Sequence, residues 1–134
     1  MKKIFKIICI IIGTILLLSI ISLFWTDNKK MGNGYVYYAD NKMISSSDGL
    51  YGEIPSVVLS FDYDNNFIIA EQKPKENDPN SLLYDFEYKY FEGYNTNYYW
   101  LIIKKEKKII GPMNKEEFNK QKNNYNVPEK LTLK

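Results

Sequence analysis

The 134-residue chain contains no histidine and no arginine, and Cys9 is its only cysteine. Without histidine there is no imidazole base, which excludes Ser-His-Asp and Cys-His nucleophile systems. The usual ligands of a zinc site are missing for the same reason. We therefore predict a non-catalytic protein with no cofactor-binding residues and no metal site. Only carboxylate chemistry or a Ser–Lys pair stays open to an enzyme.

The absence of arginine also argues against nucleic-acid binding, because the arginine fork is the side chain best suited to phosphate and guanine. The net charge of +2 does not restore that possibility. Without Lys2, Lys3 and Lys6, the 18 basic residues fall to 15, against 16 acids. The chain after its N-terminal segment is thus close to neutral, and we predict no nucleic-acid partner.

One long apolar run, residues 4–25, dominates the N-terminal part of the chain. Residues 7–25 hold no charge, and a helix of that length at ~1.5 Å per residue spans roughly 28 Å, close to the ~30 Å core of a bilayer. We predict a transmembrane helix that contacts lipid through residues 7–25. Residues 1–26 then form an N-terminal membrane anchor or uncleaved signal.

The flanks of the run predict its orientation. Lys2, Lys3 and Lys6 precede it, so the positive-inside rule places the N-terminus in the cytoplasm and the remainder outside a single-pass anchor in the cytoplasmic membrane. A cleaved signal has a shorter apolar region and a small-x-small cleavage site, whereas this run is longer and ends at Trp25, an interfacial residue type. Secretion after cleavage is the alternative.

The residues after the anchor predict a short polar linker, 27–34, and an extracytoplasmic α+β domain, 35–134. Alternating or β-rich runs separated by turn residues favour a small antiparallel sheet built from hairpins. The predicted strands are residues 35–39, 42–44, 57–64, 67–70, 98–103 and 109–110. Residues 45–52 and 72–81 are predicted loops, the lysine-rich stretch 104–108 is a predicted solvated turn, and 82–91 fits either a strand or a helix.

One C-terminal helix is predicted over residues 115–123. Asn114 followed by Glu117 has the spacing of a helix cap, and Gly111-Pro112 is expected to end the preceding strand. Val127-Pro128 is expected to stop the helix, and residues 131–133 are a candidate last strand.

Aromatic residues concentrate between positions 88 and 100. Packing in the core accounts for such a cluster, and an exposed surface for a partner is the other interpretation. The candidate binding surface consists of Tyr88, Tyr90, Tyr94, Tyr98 and Trp100.

Paired acids offer a specific enzymatic alternative, a carboxylate-based hydrolase. Asp62 with Asp64, or Asp85 with Glu87, would lie on the same side of a strand at ~7 Å. Acids in that arrangement are more often a solvated face, and the Asp64 region also fits an Asx-type turn.

Several short motifs resemble a family of small bacterial envelope proteins, many of them lipoproteins, known as a domain of unknown function (three-nine-nine-seven). The similarity covers residues 56–133 in pieces: Ile68-Ile69-Ala70-Glu71-Gln72, Tyr99-Trp100-Leu101-Ile102-Ile103, Ile109-Ile110-Gly111-Pro112-Met113, Glu117-Phe118 and Val127-Pro128. Cys9 lies too early in the apolar run for lipid attachment, so the chain departs from the lipoproteins. The resemblance implies an envelope location and brings no activity, site or ligand with it.

These observations lead to one expected function and, besides the less favoured hydrolase, one alternative. We expect a membrane-anchored, non-catalytic binding protein of the bacterial envelope, of which an immunity protein against a toxin is one version, with an unknown protein or envelope component as partner. The alternative is a small membrane subunit that acts through its helix, where Gly13 would let another helix approach.

Overall fold

The structure, a computed structural model, describes residues 1–23, 27–49, 52–78 and 88–134. It begins with helix α1, Lys2–Leu23. The span Lys3–Ser22 is long and apolar enough to cross a membrane, and none of it is buried against the rest of the described chain. A membrane anchor and a signal sequence both have these properties. The predicted apolar helix is confirmed, whereas Trp25 lies outside the described residues.

Two four-stranded antiparallel sheets and a second helix follow α1. The first sheet contains β1 (Lys29–Gly32), β2 (Tyr35–Tyr38), β3 (Met43–Ser46) and β4 (Glu53–Ile54), side by side in that order. The second contains β5 (Val58–Tyr63), β6 (Phe67–Gln72), β7 (Tyr98–Ile103) and β8 (Lys108–Met113), again in chain order. Helix α2 is Lys115–Asn124. The predicted α+β class is confirmed, with two sheets in place of one.

The second sheet lies between two apolar layers. The side chains of Ile68 and Trp100 face the first sheet and pack with its Ile44 and Ile54. On the opposite face, Ile69 packs in a separate cluster with residues of α2 and of the C-terminal segment. This arrangement explains why β6 is apolar on both faces, as the sequence predicted for a covered central strand.

Two segments predicted to be irregular are strands. The predicted linker, 27–34, contains β1, whose Met31 is only 2% exposed. Gly32 ends β1 and Gly34 lies in the turn after it. Their φ of +85° and +83° suit the tight hairpin that joins β1 to β2. The predicted loop 45–52 begins two residues later than expected, because Ser45 and Ser46 belong to β3 and pair with β2.

Among the C-terminal expectations, the helix and its cap are confirmed and two others are corrected. Asn114 caps α2, and its Oδ1 accepts the Glu117 N–H at 2.8 Å. Strand β8 does not stop at Gly111-Pro112 but continues to Met113. A proline is tolerated there because β8 is an edge strand with one unpaired side. Residues 131–133 form no strand, although Leu131 is buried.

Lys104 joins the two sheets. Predicted to lie in a solvated turn, it is instead only 2% exposed. Its Nζ donates hydrogen bonds to the carbonyl of Met31, in the first sheet, and to that of Asp64, in the β5–β6 turn. Burial lowers the pKa of this ammonium below its ordinary value of 10.5, and the negative charge of Asp64 acts in the opposite direction.

Candidate functional site

The aromatic residues proposed as a binding surface contact one another through their rings, but they differ in exposure. Tyr88 meets Trp100 edge-on with ring centroids 4.8 Å apart, and Tyr90 lies 5.2 Å from Tyr98 and 5.7 Å from Tyr94. Trp100 and Tyr98 are fully buried, whereas the three other tyrosines are half-buried. Only these three offer surface to a partner.

Gln72 explains why Trp100 belongs to the core. The Trp100 Nε1–H donates to Gln72 Oε1 at 2.8 Å. The Gln72 Nε2 donates in turn to the Ser56 carbonyl at 3.0 Å and to the Tyr90 hydroxyl at 2.9 Å. Buried polar atoms need such partners, since an unpaired one costs about 1–3 kcal/mol. This network fixes the position of the indole ring.

Tyr98 has a comparable structural role. Its hydroxyl donates to the Gly93 carbonyl at 2.8 Å and accepts the Glu92 N–H at 2.9 Å. Burial raises the pKa of Tyr98 above its ordinary value. The ring therefore holds the loop before β7 against the sheet.

The acids singled out in the sequence bind backbone groups. Asp64 Oδ1 accepts the N–H groups of Asn66 and Phe67 at 2.8 and 2.9 Å, which is the expected Asx-type turn. Asp62 accepts the N–H of Tyr63 at 2.9 Å and that of Thr132 at 3.0 Å. Residues 85 and 87 lie outside the described part of the chain. Within that part, no group of three metal-ligating side chains is close enough to hold a metal ion.

A cleft of about 280 Å³ lies between the outer face of the second sheet, helix α2 and the C-terminal residues. We call it the helix–sheet cleft. Its lining consists of Ile69, Glu71, Tyr99, Lys115, Phe118, Lys122, Leu131, Thr132 and Leu133.

The sheet side of the cleft combines an aromatic pair with a carboxylate. The rings of Tyr99 and Phe118 stack with centroids 5.3 Å apart and an angle of 26°. Glu71 Oε1 accepts hydrogen bonds from Asn97 Nδ2 at 2.7 Å and from the Tyr99 hydroxyl at 3.3 Å. Burial raises the pKa of Tyr99, and the charge of Glu71 and their hydrogen bond raise it further. The other oxygen, Oε2, accepts no hydrogen bond from the residues that the structure describes.

The helix side of the cleft contributes two ammonium groups. Lys122 donates to the Leu131 carbonyl at 3.3 Å and lies 5.7 Å from the centroid of the Phe118 ring. Lys115, in the first turn of α2, is exposed and has no hydrogen bond or ion pair to any described residue. The cleft thus presents both signs of charge around an aromatic floor.

One comparison with known proteins gives a result. The family described as "Protein of unknown function (DUF3997)" matches residues 31–134. The chain belongs to this family. The resemblance proposed from the sequence is confirmed, and the match begins earlier than expected, within β1. No curated protein and no solved structure matches the chain.

In this DUF3997 chain, the matched region includes the helix–sheet cleft and excludes α1. Sequence reasoning missed the cleft, although two local signals were present. Glu71 and Tyr99 are direct neighbours across β6 and β7. Lys115, Phe118 and Lys122 follow at i, i+3 and i+7, the spacing of one helix face.

Proposed function

We propose that the chain is a membrane-anchored binding protein of the bacterial envelope, with its domain outside the cytoplasmic membrane and no catalytic activity. The main support is the contrast between α1 and the remainder of the chain. The apolar side chains of Lys3–Ser22 in helix α1 are all exposed, while both core clusters of the domain are built without it. An apolar surface of that size needs a non-aqueous environment, and Lys2, Lys3 and Lys6 favour a cytoplasmic N-terminus.

The contacts of the acidic side chains support binding over catalysis. A hydrolytic carboxylate pair needs oxygens that are free to reach the substrate. Asp62 instead accepts a backbone N–H group at each of its two oxygens and holds the C-terminal segment in place. Asp64 accepts two N–H groups at Oδ1 and holds a turn, so at most one acid of the pair has an oxygen open to a substrate. The helix–sheet cleft gives the domain a preformed concave surface at which a component of the envelope could bind.

The alternative function is that of a small membrane subunit acting through its helix. Apart from the helix's own backbone, no described atom lies within 4 Å of the position that a Cβ on Gly13 would occupy. The nearby Thr14 hydroxyl bonds to the helix's own backbone. Small residues of this kind permit close approach of a second membrane helix.

Protease accessibility on spheroplasts tests the proposed topology. With a tag at the C-terminus, added protease should remove the domain from intact spheroplasts while α1 stays in the membrane fraction. Detergent-lysed spheroplasts and a cytoplasmic marker protein serve as controls. Protection of residues 27–134 in intact spheroplasts would overturn the proposal.

An exchange of residues 7–25 for an unrelated membrane helix separates the two functions. A phenotype caused by deleting the gene should be complemented by the exchanged chain if the domain carries the function, and should persist if the helix does. The immunity version needs a further test, in which the chain is produced in cells exposed to a toxin encoded beside it. Unchanged killing would remove that version alone.

A further inference from the structure

We propose that the helix–sheet cleft binds a small zwitterion with an apolar side chain, an α-amino acid or a dipeptide, with its ammonium at Glu71 and its carboxylate at Lys115. The proposal rests on the binding role proposed above and names the ligand class of that same cleft. It derives from the charges, the apolar floor and the size of the cleft.

The charges of the cleft are arranged to receive two opposite groups. Glu71 uses only Oε1 for its described partners, Asn97 and Tyr99, which leaves Oε2 open. Lys115 has no described partner although it lines the same cleft. The two side chains are not within ion-pair distance of each other, because neither has a described ion pair. A ligand that carries both an ammonium and a carboxylate satisfies both groups.

The floor between these charges is apolar. The stacked rings of Tyr99 and Phe118 form it with Ile69 and Leu131. Ile69, Phe118 and Leu131 are buried. The apolar surface that a ligand can reach therefore belongs to half-buried Tyr99 and Leu133. An apolar ligand side chain placed there would remove further apolar surface from water, at roughly 25 cal/mol per Å². A ligand that is polar throughout would forgo this gain.

The volume restricts the ligand to one or two residues. The cleft holds about 280 Å³, below or at the low end of the ~300–1,000 Å³ typical of pockets for drug-sized ligands. A folded protein or a long peptide could place only one or two of its residues in a cleft of this size. A leucine or a leucyl-leucine is the size that fits.

The surrounding contacts hold the binding groups in place before any ligand arrives. Asn97 and Tyr99 fix the Glu71 carboxylate, and Lys122 ties α2 to the C-terminal segment through the Leu131 carbonyl. Preorganisation of this kind lowers the conformational entropy lost on binding.

Titration of the full-length chain in detergent micelles tests the proposal. Isothermal calorimetry would measure binding of leucine, leucyl-leucine, N-acetyl-leucine and leucine amide. We expect leucine or leucyl-leucine to bind, and the two capped compounds to bind at least tenfold more weakly, because each lacks one charge. The tighter of the two uncapped probes tells a free amino acid from a peptide. No binding of either uncapped probe at millimolar concentration, or equal binding of the capped probes, would overturn the proposal.

Variants then assign each charge to its side chain. We expect Glu71→Gln and Lys115→Gln each to weaken binding of the better probe at least tenfold. Glu116→Gln and Lys120→Gln are matched controls, since both positions are exposed on α2 and neither lines the cleft. Equal losses in the controls would refute the assignment. The comparison of capped and uncapped probes uses the native chain, so it still tests the proposal if a variant misfolds. The spheroplast experiment does not depend on the ligand, so the proposed topology and this inference can fail separately.

Discussion

Lys104→Met should destabilise the domain substantially. The substitution keeps an unbranched apolar chain but removes the donor to the carbonyls of Met31 and Asp64. A buried carbonyl left without a partner costs about 1–3 kcal/mol. The Met31 carbonyl is buried but the Asp64 carbonyl only partly so, and the two together therefore cost less than the ~6 kcal/mol of two fully buried carbonyls. Relief from burying an ammonium offsets part of that cost. We expect a net loss of about 2–4 kcal/mol in the free energy of unfolding.

Urea unfolding followed by Trp100 fluorescence measures this loss, in a Trp25→Phe background so that one tryptophan reports. Lys105→Met is the matched control, because Lys105 is the exposed neighbour of Lys104 and surface substitutions usually stay within about 0.5 kcal/mol. An unchanged or raised stability of Lys104→Met would refute the argument that Lys104 joins the two sheets.

The pH dependence of the stability difference between the native chain and Lys104→Met gives a second measurement. Burial lowers the pKa of Lys104 in the folded state below the 10.5 of the unfolded chain. Between these two pKa values the unfolded state binds more protons, so stability rises with pH. The stability of the native chain relative to Lys104→Met should therefore increase as the pH approaches 10.5 and should level off above it. A decrease over that interval would contradict the lowered pKa.

Three further substitutions test other contacts by urea unfolding. Gln72→Leu leaves the Trp100 Nε1–H without its acceptor and should cost about 3 kcal/mol. Gly111→Ala would place a Cβ 2.4 Å from Trp100 Cε3 at a φ of +147°, so a loss of about 3 kcal/mol or more is expected. Asn114→Ala removes the acceptor of the Glu117 N–H and should cost about 1 kcal/mol.

Matched controls exist for two of these substitutions. Gly49 also has a positive φ, +67°, but nothing within 4 Å of a Cβ, so Gly49→Ala should cost only the backbone strain of about 1–2 kcal/mol. Asn119 is exposed within α2, and Asn119→Ala should leave stability unchanged or raise it slightly. If Gly49→Ala lost as much stability as Gly111→Ala, or Asn119→Ala as much as Asn114→Ala, the contact with Trp100 or the helix cap would not be the cause of the loss.

Local patterns were sufficient to predict most of the second sheet and α2. Alternation of apolar residues marks β5, the turn at Asp64 joins it to β6, and the Asn114–Glu117 spacing marks the start of α2. Each of these signals acts within a few residues. These signals can therefore be recognised in the sequence without knowledge of the tertiary structure.

The missed features depend on partners that are distant in sequence. Strand β1 has a single buried apolar residue, Met31, too few for a periodic signal. Lys104 is buried because carbonyls from two other elements meet its ammonium. The helix–sheet cleft likewise needs β6, β7, α2 and the C-terminal residues together, and only tertiary packing assembles them.

The order of the strands has a consequence for folding. In both sheets each strand pairs with the next one along the chain, so most pairings close short loops, which costs little entropy and favours fast folding. Among the strands that the structure describes, β6 and β7 have the longest connection, residues 73–97. Because the described strands of the first sheet lie between residues 29 and 54, they can begin to pair while the second sheet, which completes their core with Ile68 and Trp100, is still being synthesised. In a chain anchored by its N-terminus as proposed, the strands would then fold in the order in which they leave the membrane.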